Sequence, residues 1–73
     1  MISESQAIDI AREVATQQGW GWVDPARATL RRDWFGSGGR WEVTSNRLGL
    51  GAIVRVTIDA QTGAVLHKGY IPR

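Results

Sequence analysis

The chain has no cysteine, which removes disulfides, thiolate nucleophiles and cysteine-held metals together and leaves the redox compartment open. It has one histidine, His67, so a nucleophile, base and orienting group have a single imidazole to draw on. Metal binding needs clustered His, Cys, Asp or Glu, and no such spacing occurs, so neither a metal nor another cofactor is expected. No apolar run approaches the roughly 18–20 residues that span a bilayer. The opening Met1-Ile2-Ser3-Glu4 lacks the basic start and apolar stretch of a signal peptide, so a cytoplasmic location and no membrane contact are expected. The glycine runs are not phosphate loops. Gly36-Ser37-Gly38-Gly39 is not followed by Lys-Ser or Lys-Thr, and Gly49-Leu50-Gly51 lacks a third glycine and a helix; both read as hairpin loops.

What is present suits one small globular unit spanning residues 1–73. Hydrophobic residues make up 42% and charged residues 22%, near ordinary globular usage, so disorder and fibrous repeats are not indicated. A domain of this size buries only about 60% of its unfolded surface, which leaves a thin stability margin that a partner subunit would widen.

Ser3 followed by Gln6 fits a capping box, with Ser5 as a second possible cap. Ala7, Ile8, Ile10, Ala11, Val14 and Ala15 then recur at helical spacing against Asp9, Arg12, Glu13, Gln17 and Gln18. The small residues Ala7, Ala11 and Ala15 let such a helix lie close to a sheet, and Gly19 is placed to end it. Trp20-Gly21-Trp22-Val23-Asp24-Pro25 has no clear period and reads as a loop. Beyond it the pattern has period two. Ala28, Leu30 and Trp34 face Arg27, Thr29, Arg31 and Asp33; Trp41 and Val43 alternate with Arg40, Glu42 and Thr44; Val54, Val56 and Ile58 oppose Ile53, Arg55 and Thr57. Asp59-Ala60-Gln61-Thr62-Gly63 should reverse the chain into a last strand, Ala64 to Ile71, which Gly69 and Pro72 mark as a bulged or edge strand. The expected fold is α+β, with one N-terminal helix packed on a four-stranded antiparallel sheet.

His67 reads as a structural or exposed side chain, because no charge partner is visible for it; a deep cleft joining it to Asp59 or Glu42 is what an enzymatic reading would require. The carboxylates Asp33, Glu42 and Asp59 are explained by cross-strand ion pairs and turn capping. Four tryptophans, eight arginines and one lysine raise single-stranded nucleic-acid binding, since aromatic faces stack on bases and guanidinium groups pair with phosphates. A net charge of only +2 and acids interrupting the outer face make nucleic acid the weaker partner. The candidate partner-binding residues are Trp20, Trp22, Arg27, Arg31, Arg40 and Arg55, with Trp20 and Trp22 equally open to burial or exposure.

The segment Val54-x-Val56-x-Ile58-Asp59-x-x-Thr62-Gly63-x-Val65-Leu66 resembles the signature of PepSY domains, as do the alanine-rich first helix and the middle strand Trp41-Glu42-Val43. PepSY domains are small helix-plus-sheet units found in thermolysin-type protease propeptides and bacterial envelope proteins. The resemblance implies no enzymatic activity and a module that binds or restrains another protein, a peptidase among the candidates. The same design is similar to some immunity proteins that neutralise bacterial toxins. The expected partner is therefore a protein, with a homodimer through an edge strand as a further possibility.

Overall fold

A computed structural model describes residues 1–32, 39–46 and 51–71 of the chain. Helix α1 (Glu4–Gln18) is followed by strands β1 (Arg27–Arg31), β2 (Arg40–Thr44), β3 (Ile53–Asp59) and β4 (Val65–Ile71). Readings that fall on Asp33, Trp34, Gly36, Ser37, Gly38, Leu48, Gly49, Leu50 and Pro72 lie outside the described residues.

The helix begins where its cap chemistry places it. The Ser3 side chain accepts from the Gln6 amide at 3.1 Å, and Gln6 Oε1 accepts from the Ser3 amide at 2.8 Å, so two of the four orphan donors are satisfied and Ser5 is simply helical. It ends at Gly19, whose φ of 74° is left-handed; Gly19 donates to Thr16 O at 3.2 Å and Trp20 to Ala15 O at 2.8 Å, which closes the last turn. Ala7, Ala11, Val14 and Ala15 are buried on one face. Three of these four are alanines, and α1 lies against β1, β2 and β3 across side chains of minimal depth.

The four strands form one antiparallel sheet in the order β1-β2-β3-β4, so each pairs with its chain neighbour and β1 and β4 are the edges. The inner face carries Ala28, Val43, Val54, Val56 and Ile58, all buried with the helix alanines in a single core, and Ile2, Ile8, Ile10, Trp20, Trp22, Trp41 and Tyr70 pack around its margin. β-Branched residues dominate the sheet side because they fit a pleated, half-buried surface. Trp41 has the core-facing parity expected of it, and its Nε1–H reaches Ile2 O at 3.2 Å. The Ile2 amide in turn donates to Ala60 O at 2.8 Å, so the segment before the helix is stitched to β2 and to the turn after β3.

That turn is held by its own side chains. Asp59 Oδ1 accepts from the Gln61 amide at 2.8 Å and the Thr62 amide at 3.2 Å, Thr62 Oγ1 accepts from the Ala64 amide at 3.2 Å, and Gly63, at φ 79°, donates to Asp59 O at 2.9 Å. The Asp-x-x-Thr-Gly spacing is thus a turn device: the aspartate replaces water on two amides and the glycine supplies the left-handed exit. The last strand starts at Val65, one residue later than the pattern suggests, because the Ala64 carbonyl is occupied in closing this turn onto the Asp59 amide.

Two features of the fold are not signalled by periodicity. Ser45 and Asn46, just after β2, are both buried. Ser45 Oγ accepts from the Val54 amide at 2.9 Å while the Ser45 amide donates to Val54 O at 2.9 Å, and Asn46, at φ 51°, donates from Nδ2 to Ala52 O at 3.1 Å and from its amide to Val23 O at 2.7 Å. This polar hub ties the end of β2 to the start of β3 and to the loop after the helix. The second feature is the position of the bulge. Thr57 pairs with His67 and Ile58 with Val65, so Leu66 is the extra residue of β4. The expectation of a bulged edge strand holds, with the irregularity at Leu66 and not at Gly69.

Candidate functional site

The six candidate partner-binding residues separate onto two faces. Arg27, Thr44, Arg55 and Gly69 stand opposite one another across the four strands, Thr29, Glu42, Thr57 and His67 form the next row, and Arg31, Arg40 and Asp59 the next. Residues directly opposite on antiparallel strands project to the same face, and these rows alternate with the buried rows under α1. All four arginines therefore share the face away from the helix.

The two tryptophans belong to the other side. Trp20 stacks on Tyr70, with ring centroids 5.5 Å apart and planes 11° from parallel, and Tyr70 lies opposite the fully buried Val54. Trp22 donates from Nε1 to Asp24 Oδ1 at 3.0 Å, and the Arg12 guanidinium carbon sits 5.7 Å from its ring centre. Both are half-buried and pack against the core, so these rings are anchors of the loop after α1. Stacked and cation–π contacts of this kind contribute about 0.5–1.5 kcal/mol beyond area burial.

The arginines are not electrostatically equivalent. Arg31 Nε donates to Glu42 Oε1 at 2.9 Å, and Arg40 Nε lies 3.9 Å from Glu42 Oε2, so one carboxylate bridges two guanidinium groups. Arg27 and Arg55 are exposed and make no ion pair or side-chain hydrogen bond among the described residues. Such surface pairs are each worth roughly 0–1 kcal/mol, so Glu42 matters more for the local charge of this face than for folding.

His67 is exposed and has no hydrogen-bond or ionic partner among the described residues. Glu42 shares its row, with Thr57 between them, and Asp59 is engaged by its own turn. The cluster that would make His67 a base is thus not assembled by the described residues. The described pocket, lined by Glu4, Ser5, Ile8, Asp9 and Arg12, is an open depression on the outside of α1 and does not touch His67. Among the described residues no group of three or more metal-ligating side chains occurs, and no helix is long and apolar enough to cross a membrane.

Sequence reasoning did not single out the β4 edge as an apolar surface. Val65 is 41% exposed, Leu66 57% and Ile71 44%, three large apolar side chains on one edge strand. The signal was present in the run Val65-Leu66 and in the part-apolar character of both β4 faces, but only the bulge at Leu66 explains why two successive apolar residues are exposed here.

A family model described as the peptidase propeptide and YPEB domain, PepSY, matches residues 1–68. No curated protein and no solved structure matches the chain.

Proposed function

Since the chain belongs to the PepSY family, we propose that it works without catalysis, as a protein-binding module that restrains a peptidase of the thermolysin type by docking through the β4 edge. The observation that carries this reading is the exposed apolar edge of β4: an outermost strand has unpaired backbone donors and acceptors, and Val65, Leu66 and Ile71 give it apolar side chains for a partner to cover. Peptidases hold their substrates as extended strands, so an edge strand offers main-chain groups of the kind they recognise.

Two features favour a different protein over a second copy of this chain at the edge. A bulge displaces Leu66 from regular pairing, and Lys68 sits mid-strand, where the charge and the irregular register oppose symmetric strand-to-strand association. Nucleic-acid binding loses support from the placement of the rings: Trp20, Trp22, Trp41 and Tyr70 all pack on the helix side, away from the arginines that would hold phosphate, and a stacking platform needs both on one surface. An immunity role remains the same kind of protein docking with a toxin as partner, and nothing in the described residues favours it.

Titrating the purified chain into thermolysin-type peptidases of its own source, with casein hydrolysis as readout, tests the proposal. Saturable inhibition at 1:1 stoichiometry is expected, weakened at least tenfold by Leu66→Asp, which puts a charge on the edge without touching the core. Full hydrolysis at saturating chain contradicts the inhibitory reading, and inhibition unchanged by Leu66→Asp contradicts the edge as its site.

A further inference from the structure

We infer that the row Arg27–Thr44–Arg55 on the outer face of the sheet is a second binding surface, taking an acidic, extended segment of a protein partner through its carboxylates. The inference rests on the protein-binding reading but not on the β4 edge.

It starts from an asymmetry in how the face handles charge. At one end of β1 and β2 the arginines share a counter-charge: Arg31 and Arg40 are directly opposed, a repulsive arrangement, and Glu42 bridges both. At the other end Arg27 and Arg55 flank Thr44 from the two neighbouring strands. Every residue adjoining them in register is neutral: Thr44 stands between them and Gly69 beyond Arg55. Glu42 is diagonal to both arginines, but its two oxygens already serve Arg31 and Arg40. Asp59 is in the far row, with Oδ1 accepting from two turn amides.

The geometry of the sheet sets the spacing. Neighbouring strands lie about 4.8 Å apart, so the Arg27 and Arg55 backbones are separated by roughly 10 Å. Alternate residues of an extended peptide share one face at roughly 7 Å, and the reach of the long arginine and glutamate side chains spans the remaining difference. Carboxylates on such a segment meet two guanidinium forks, each able to donate a bidentate pair of hydrogen bonds, while the Thr44 hydroxyl can serve the backbone between them. Gly69 leaves the β4 side of the row without a side chain, so an extended segment has room to lie flat there. The face away from the helix presents arginine, threonine and glycine in this row and no ring from the four described aromatics, all of which pack on the other side. That composition fits a carboxylate-rich peptide better than bases that require stacking.

The test uses the intact chain and a fluorescein-labelled ten-residue peptide of alternating glutamate and serine, followed by anisotropy at low ionic strength. A labelled ten-residue oligothymidylate serves as the nucleic-acid probe. The peptide is expected to bind, to weaken at least tenfold in the double variant Arg27→Gln/Arg55→Gln, to weaken less than threefold in Arg31→Gln, and to weaken by an intermediate factor in Arg27→Lys/Arg55→Lys, which keeps the charge but loses the fork. These exposed positions should leave the far-ultraviolet circular dichroism unchanged. No peptide binding by the wild-type chain, or equal losses for Arg31→Gln and the double variant, overturns the inference. So does oligothymidylate binding as tight as the peptide's with the same dependence on Arg27 and Arg55, because the row would then recognise nucleic acid. Peptidase inhibition scored on the same proteins keeps the two readings apart: inhibition without peptide binding sinks only the arginine row, and peptide binding without inhibition sinks only the peptidase reading.

Discussion

Ile58→Ala leaves the chain largely unfolded at room temperature. Ile58 is fully buried near the end of β3, opposite Trp41 on β2 and Val65 on β4. Removing three carbons from such a site costs about 2–5 kcal/mol, the transfer loss plus the cavity that remains. A core of this size rarely supplies more than about 3–5 kcal/mol in total, so the loss consumes most of the stability. Ile58→Val removes one methyl group, costs about 0.5–1.5 kcal/mol, and stays folded. Thr57→Ala, one residue away on the outer face, costs under about 1 kcal/mol of stability. Urea titrations of the three variants followed by circular dichroism check the ordering; an Ile58→Ala protein as stable as Thr57→Ala means that the inner and outer faces have been assigned the wrong way round.

Ser45→Ala has the second large effect, for a different reason. Its Oγ is the acceptor for the Val54 amide, and both residues are fully buried. The substitution changes volume little but strands the Val54 N–H in the interior, where an unmade hydrogen bond costs about 1–3 kcal/mol. The backbone bond from the Ser45 amide to Val54 O stays, so β2 and β3 remain paired while their junction loosens. The expected signature is a lower urea midpoint with faster exchange of the Val54 amide specifically. A Ser45→Ala protein with unaltered stability and an equally protected Val54 amide shows that the hydroxyl is not the partner on which the junction depends.

These two residues also mark the limits of reading the chain as a string. Ile58 is legible because it belongs to the alternation Val54, Val56, Ile58, and alternation follows directly from the pleat. The helix is legible because Ser3, Gln6 and Gly19 announce both ends and the alanines announce its close approach. The turn after β3 is legible because Asp59, Thr62 and Gly63 each satisfy a local backbone requirement. Ser45 and Asn46 are different: small polar residues after a strand look like any exposed turn, and their burial follows only from the loop Val23 closing over them and from β3 arriving beside them. No local pattern encodes that encounter.

The candidate site divides in the same way. That Arg27, Arg31, Arg40 and Arg55 share a face follows from strand parity. Which of them have Glu42 as a partner depends on that residue lying across from Thr29 and diagonal to Arg31, and so on register, which periodicity alone leaves free. Trp20 and Trp22 sit in an aperiodic loop, so nothing local decides between burial and exposure; the stack on Tyr70, 50 residues away in the chain, decides it for Trp20. The exposed edge at Leu66 needs the bulge, which needs the register of β3 against β4.

Hydrogen exchange on the chain, alone and with a thermolysin-type peptidase made catalytically inactive by substitution and left with an open cleft, tests the docking claim most directly. Free β4 amides that point outward from the edge should exchange quickly and become strongly protected from Val65 to Ile71 in the complex, while the already protected core of β3 changes little. Protection gained on α1 or in the loop of Trp20 and Trp22, with β4 exchanging as before, would contradict the account.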